Sequence, residues 1–530
     1  MMSLFARKRG ARALKPKRGT LHSQPRKLYV LCMVAGCITA PTSYSLLQAQ
    51  SRAQVTPSIP DAPRPGINQS ALPSGQASVN STSTSVQVSG PYGTSVLAPD
   101  ASGEPLSLTI ETAIQRGLKY NLGAFAASVR SQSAHSSVTN ARSALLPTVS
   151  ANFSEYVQRV NLAAMGFDGS NLPSIGTYFP SALGPFHYYA AQAQLSHNAF
   201  DLVATRNYMA AKDEGRAANL SERDAREQIV LAVAATYLQV LAQAAQVESI
   251  ESQVKYAQAA YDQAVQQRDA GAKSSIDVNR SRVELQRRQQ QLLAQSGENK
   301  KQKMNLARLI GLSADRDISV AESFHESATE LLSLEDLYQR AMGRNDVKAS
   351  EAQLHAAEEF RRAAVAERLP SVRLSGFYGV QGPNFNTGTS VYSGTATLSV
   401  PIFNGGQTRS DLQQADATIE QRRTSLSAKK EDVRFEVRSA WIDQDTAMKQ
   451  LVVAESNRVL AQETLHQSMD RFNVGAADSV EVVQSQETLA AAEQDYINSL
   501  YSLRLAQMNL ARAVGSAEQD VPKIIKGVRP

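Results

Sequence analysis

The sequence has two thiols, Cys32 and Cys37, and both lie within its first 40 residues. Cys37 closes the run Val34-Ala35-Gly36-Cys37, which resembles a bacterial lipobox. The chemistry implied is acylation of the Cys37 thiol, with Cys37 becoming the new N-terminus. The competing reading is a plain signal peptide cut after about Ala49. Elsewhere the residues that could do chemistry are not arranged to do it. The seven histidines (His22, His135, His187, His197, His325, His355 and His466) show no metal-ligand spacing with one another. No phosphate-binding loop, nucleophile elbow or HExxH helix is present. Glu358-Glu359 stand in helical sequence and read as solvated acids, and Trp441 reads as a packing residue. No motif supplies the roles that a catalytic site needs, so the expectation is a protein that is not an enzyme and uses no cofactor or metal.

The surroundings of Cys37 explain the net charge. Residues 1–27 hold nine cations (Arg7, Lys8, Arg9, Arg12, Lys15, Lys17, Arg18, Arg26 and Lys27) and no acid. Without them a net charge of +6 becomes negative, which removes the only support for nucleic-acid binding. A basic stretch running into the apolar residues 28–40 is an export signal, so 1–40 is assigned as the signal segment. An exported chain with no later cysteine has no disulfide framework, and its stability must come from burial and assembly. Residues 41–105 are rich in Ser, Thr, Pro and Gly and cannot bury enough to fold. They are read as a disordered linker spanning about 45 Å.

From Leu106 onward the sequence reads as a duplication. Met304-Asn305-Leu306-Ala307-Arg308 recurs as Met508-Asn509-Leu510-Ala511-Arg512, and the same offset pairs Gly271 with Gly475, Asp277 with Glu481 and Tyr237 with Trp441. The first repeat, 106–315, is expected to contain helices over 106–146, strands over 148–160 and 187–197, a long helix over 201–270 and a returning helix over 274–311. The second, 316–515, is expected to contain helices over 332–369, strands over 371–380 and 391–400, a long helix over 406–473 and a returning helix over 478–514. Residues 516–530 are left as a C-terminal tail. Val230, Val233, Tyr237, Val240, Ala244, Val247, Val254, Tyr261 and Val265 follow alternating spacings of 3 and 4, with Glu251 and Gln258 at intervening positions. That is a coiled-coil seam. With Gly215 the only break candidate, the helix would extend roughly 100 Å. No stretch reaches the roughly 18–20 apolar residues of a membrane-spanning helix, which excludes a helical membrane protein.

The strand segments alternate over about ten residues, as transmembrane β-strands do. Val372, Leu374 and Tyr378 share one face. From Tyr392 to Val400 the even positions are apolar or small and the odd ones Ser or Thr, and Glu155 is an exception on the apolar face of the first pair. Four strands cannot close a barrel, and an open sheet in hydrocarbon leaves its edge groups unpaired at several kcal/mol each. Three copies would give about twelve strands, an even count within the known range. The rival reading is a soluble periplasmic coiled-coil scaffold that links envelope components.

Leu398-Ser399-Val400-Pro401-Ile402-Phe403-Asn404-Gly405-Gly406 and Arg471-Phe472-Asn473-Val474-Gly475 carry a specific resemblance. From about 106 to 515 the chain resembles the TolC-like outer-membrane efflux protein family. The first copy departs from that pattern, with Ser196-His197-Asn198-Ala199-Phe200-Asp201 lacking the proline and both glycines, and Arg268 where an aromatic is usual. The resemblance implies a mixed α and β membrane protein: a trimeric twelve-stranded outer-membrane barrel, four strands per protomer, continued by a periplasmic α-helical barrel. It implies a passive conduit of an efflux or type I secretion system. The implied partners are a homotrimer, a periplasmic adaptor, an inner-membrane pump and outer-membrane lipid. It also places a pore constriction at Glu481, Gln484 and Asp277. Adaptor docking is expected at the glycine turns, through Gly271, Ala272, Val474, Gly475 and Ala476.

Overall fold

The computed structural model describes residues 91–99, 105–162, 164, 181–271, 274–322, 333–384, 386–474, 476–477 and 479–526. The signal segment with Cys37, most of the linker, and Ala272 and Gly475 therefore lie outside the described residues.

Strand β1 (Leu106–Leu108) precedes helices α1 (Ile110–Tyr120) and α2 (Leu122–Ser143). The expected helical range 106–146 thus opens with a short strand before its two helices. Thr109 starts α1 by accepting from the Thr112 amide at 3.3 Å, while the Thr112 hydroxyl accepts from the Thr109 amide at 3.0 Å. Asn121 divides α1 from α2. Buried, it donates to the Tyr92 carbonyl at 2.8 Å and accepts from the Gly123 amide at 2.8 Å. Residues 91–99 are consequently not free linker. Val96 donates to the Tyr120 carbonyl and Ala98 to that of Gly311, each at 2.9 Å.

Strands β2 (Thr148–Asn161) and β3 (Ala182–Phe200) form an antiparallel hairpin. The second strand begins five residues before the expected 187, because ladder pairing with β2 continues beyond the alternating stretch. Helix α3 (Leu202–Asp269) follows, then α4 (Ser275–Leu309) and β4 (Ile318–Val320), which pairs parallel with β1. Helices α5 (Leu334–Ala341) and α6 (Asn345–Ala366) lie within the expected helical range 332–369. The second hairpin is β5 (Ser371–Gly382) with β6 (Thr389–Ser399), and the long pair is α7 (Gln407–Asn473) with α8 (Ser479–Val514). The four long strands make one antiparallel sheet in the order β2-β3-β5-β6.

The expected tail is helix α9 (Ala517–Lys526). Its Ala517, Val521, Ile524 and Ile525 repeat at helical spacing and are buried in the main core. Arg504, itself buried, donates to the Ile524 carbonyl at 2.8 Å and so satisfies a carbonyl at the end of α9.

That core gathers Ile229, Val233, Tyr237 and Leu241 of α3 with Leu108, Ile114, Leu306, Ile310 and Met508. A second core joins Leu337, Val347, Val433, Val437 and Val514, with Trp441 packed against it. An 18-residue stretch of α3 is apolar enough to cross a membrane by composition, which the sequence reading denied to every segment. Most of it is buried inside the protein, so its apolarity belongs to the core. The seam of α3 also differs from the expected one. Val230, Val233, Tyr237 and Val240 are buried, but beyond Ala242 the buried positions are Gln246, Ile250, Ala257 and Ala264. Four expected positions, Val247, Glu251, Gln258 and Val265, lie one residue later. Helix α3 packs on both α4 and α8, so its buried line is set by two neighbours rather than one stripe. Gly215 does not break α3. It is buried where α2 crosses, and a Cβ there would meet the Val138 side chain at 2.9 Å.

Candidate functional site

The register fixes two faces on the sheet. One row reads Val149, Leu195, Gly376 and Gly394; the next reads Ala151, Ala193, Tyr378 and Tyr392; a third reads Phe153, Ala191 and Val380. This face is apolar and open, with Tyr392 82% and Val149 73% exposed. Its polar exceptions are Ser390, paired with Val380, His197, paired with Leu374, and Glu155, whose carboxylate lies 3.6 Å from the ring nitrogen of His187 on the same face. On the other face Asn152 pairs with Gln192, Ser150 with Gln194 and Thr148 with Ser196. Ser375 pairs there with Thr395 and Arg373 with Thr397. Tyr156 and Tyr188 stack on it with ring centroids 4.8 Å apart. An apolar face this large on an isolated sheet requires a non-aqueous neighbour.

The two strand-to-helix junctions differ as the sequence does. Asp201 starts α3, accepting from the Ala204 amide at 2.9 Å. Helix α7 starts from Gly405 and Gly406, both at positive φ. Ile402 and Phe403, just before it, are almost fully exposed.

At the far ends of the long helices stand the two turns. Gly271 follows α3 with φ +73°, the left-handed conformation that favours glycine, and nothing lies within 4 Å of where its Cβ would be. Val474 and Ala476 are exposed at the second turn, where the Ala476 amide donates to the Arg471 carbonyl at 2.8 Å. The first turns of α4 and α8 lie side by side around a cavity of about 440 Å³ lined by Ile276, Asn279, Arg280, Val283, Glu284, Val480 and Val483. Asp277 accepts from the Ser274 amide at 3.3 Å and hydroxyl at 2.9 Å. Glu481 lies 3.4 Å from the Arg471 guanidinium, and Gln484 is exposed. Phe472 is buried in the apolar cluster of the second tip, whereas Arg268, its counterpart in the first, turns to the adjacent Asp269.

The structure assembles charge clusters that the sequence reading did not single out. Arg512 of α8 reaches Asp224 of α3 at 2.7 Å and Glu227 at 3.8 Å. Arg344 reaches Asp346 at 2.9 Å and Glu436 of α7 at 2.6 Å. Burial pushes Asp224 and Glu227 up, and Arg512 offsets only part of it. Burial would raise Asp346 too, but Arg344 beside it holds that carboxyl down. This network clamps α3, α6, α7 and α8. The signal for it was Arg512, the last residue of the recurring Met-Asn-Leu-Ala-Arg motif. Nearer the tips, Arg287 of α4 pairs with Glu487 of α8 at 2.5 Å. Among the described residues no three His, Cys, Asp or Glu side chains are grouped to hold a metal ion.

A family model described as "Outer membrane efflux protein" matches residues 116–312 and 337–516. The chain is 26% identical over 303 residues to the pyoverdine export outer membrane protein OpmQ of Pseudomonas putida, covering 54% of this chain and 62% of that protein. It is 23% identical over 408 residues to the outer membrane protein TolC of Vibrio cholerae, covering 75% of this chain and 88% of that one. The match to a probable outer membrane lipoprotein, SilC of Salmonella typhimurium, is 25% identical and spans 32% of this chain and 38% of that protein. Among solved structures, VceC of Vibrio cholerae superposes with a TM-score of 0.63 at 20% identity, covering 77% of this chain and 96% of that one. The Campylobacter jejuni CmeC outer membrane channel superposes with a TM-score of 0.65 at 15% identity, covering 85% and 98%.

Proposed function

The chain belongs to the outer membrane efflux protein family, and on that premise we propose that it is the passive outer-membrane conduit of a tripartite efflux or type I secretion system. One observation carries the reading: a four-stranded sheet with a continuous, solvent-open apolar face, joined end to end with helices of 68 and 67 residues. The apolar face meets lipid and the polar face lines water, as in transmembrane barrels. Among the described residues the outer edges of β2 and β6 have no neighbour, so copies must supply them. Three copies give about twelve strands, and their helices continue the tube into the periplasm. The two repeats derive from one duplicated unit. The chain supplies no driving force; an inner-membrane pump and a periplasmic adaptor would deliver cargo to it.

The tips hold the remaining roles. Gly271, Ala272, Val474, Gly475 and Ala476 form the adaptor-docking turns, where small and apolar flanks admit another helical hairpin. Asp277, Glu481 and Gln484 stand at the constriction. Acid at the start of α4 and α8 also favours the helix dipole, and both roles hold at one position. Cys37 carries a lipid anchor. Cys37→Ala should leave unprocessed, unacylated precursor, and a mature N-terminus near Gln50 by mass spectrometry would sink the anchor.

Reconstitution tests the main reading. Purified full chain should require detergent for extraction from membranes and should conduct ions in planar bilayers. Release from membranes by salt alone, with no conductance, would favour the soluble scaffold.

A further inference from the structure

Between its two register shifts the polar face of the sheet carries one charge among the described residues; Arg159 lies at the first shift. Between the two register shifts its side chains are Ser, Thr, Asn, Gln, small residues and a few apolar or aromatic ones, and Arg373 is the one charged at neutral pH among the described residues. Arg373 is exposed and sits in β5 between Asn198 of β3 and Thr397 of β6. Its Nε donates to Asn198 Oδ1 at 3.0 Å. No ion pair joins it to a carboxylate among the described residues. The acid linked to it is Asp201, which the Asn198 amide reaches at 3.5 Å. Asp201 is committed to the N-terminus of α3, whose dipole offsets its charge. Glu155 and His187 lie on the opposite face, screened from Arg373 by the sheet itself.

We propose that Arg373, repeated by each copy that closes the barrel, forms a ring of positive charge at the helix-side mouth of the lumen and favours anionic solutes there. The inference rests on the channel reading above. Fixed charges act within a Debye length of about 8 Å at physiological salt, so a solute passing the ring feels it. Rings of Arg or Lys are how pores select anions. The tip acids oppose it weakly: Glu481 lies beside Arg471, and Asp277 is turned to Ser274. At that mouth the lumen therefore favours carboxylate, phosphate or sulfonate groups.

Thr397→Cys places a probe thiol across the ladder from Arg373. Its modification by anionic 2-sulfonatoethyl and cationic 2-(trimethylammonio)ethyl methanethiosulfonate would be timed on the reconstituted full chain. The chain without Thr397→Cys serves as the blank. The anionic-to-cationic rate ratio should fall at least about threefold on adding Arg373→Gln, a size set by a unit charge several Å away in water. It should persist with Arg373→Lys and shrink in high salt. In bilayers, Arg373→Gln should shift the reversal potential in a KCl gradient toward cation preference. An unchanged ratio in a conducting, correctly assembled pore overturns the ring and leaves the channel intact. A thiol inert to both reagents in such a pore overturns it too, because the face is then not lumenal. A wild-type chain that conducts nothing overturns the channel reading and the ring with it.

Discussion

At the residue scale, two side chains show how chemistry and architecture share positions. Tyr237 is fully buried, and its hydroxyl faces the Leu108 carbonyl at 2.9 Å and the Glu322 carboxylate. Glu322 in turn accepts from the Ile110 amide at 3.0 Å. Burial, then the Glu322 carboxylate, pushes the Tyr237 phenol far above its usual value, so it remains a donor. It pins β1 and the start of α1 to the middle of α3. Tyr237→Phe leaves buried acceptors unmatched and should cost about 1–3 kcal/mol in denaturant unfolding. A loss near zero would mean that water replaces the hydroxyl. Glu481 is the second case. Three copies would place three carboxylates around one mouth, but Arg471 at 3.4 Å offsets part of each charge. Glu481→Gln should therefore lower cation preference in bilayer recordings only modestly, with the open-pore conductance retained. Unchanged selectivity would leave Glu481 with its helix-start role alone.

At the scale of elements, the decisive objects are the long helical hairpins and their turns. Helix α3 at 1.5 Å per residue extends about 100 Å, and α7 matches it within a residue. The α7–α8 tip is held by Phe472, Val482 and Leu489, so its turn is not what keeps the hairpin together. That separation makes the tip testable. Ala476→Asp keeps every buried contact and alters only an exposed flank. It should leave assembly and membrane insertion intact while abolishing export and adaptor cross-linking. If export survives it and Ala272→Asp as well, the tips are not the docking surface. The recurring sequence landmarks led directly to these hairpins, because periodicity over sixty residues has few other solutions. The short elements were harder to read. Strands β1 and β4 have three residues each and exist only through pairing with each other across more than 200 positions. Helix α9 carries the apolar spacing of a helix over ten residues, which a reading tuned to long repeats passes over.

At the scale of the whole molecule, the single chain leaves apolar surface exposed. Besides the open sheet edges, Phe435, Val452, Val453 and Leu460 of α7 and Val283 and Leu293 of α4 are more than half exposed. Rows of large apolar side chains along helices require partners. Purified protein in detergent should have about three times the chain mass by light scattering, after correction for bound detergent. A stable monomer that conducts by itself would refute the closure argument.

The sequence by itself determined the long strands and helices and their order. Alternation with period 2, seams with spacings of 3 and 4, and glycine turns are local properties that the backbone converts into strands, helices and reversals. It also determined which face of each strand is apolar, since a one-residue slip would turn every side chain over. The tertiary structure decided what depends on two neighbours at once. It shifted the buried line of α3 by one residue and seated residues 91–99 and α9 on the core. It drew Asp224, Glu227, Arg344, Asp346, Glu436 and Arg512 into one clamp and left Arg373 alone on the polar face. Burial, charge pairing and strand register across hundreds of residues are sums over contacts from distant parts of the chain, and no stretch of sequence contains those sums.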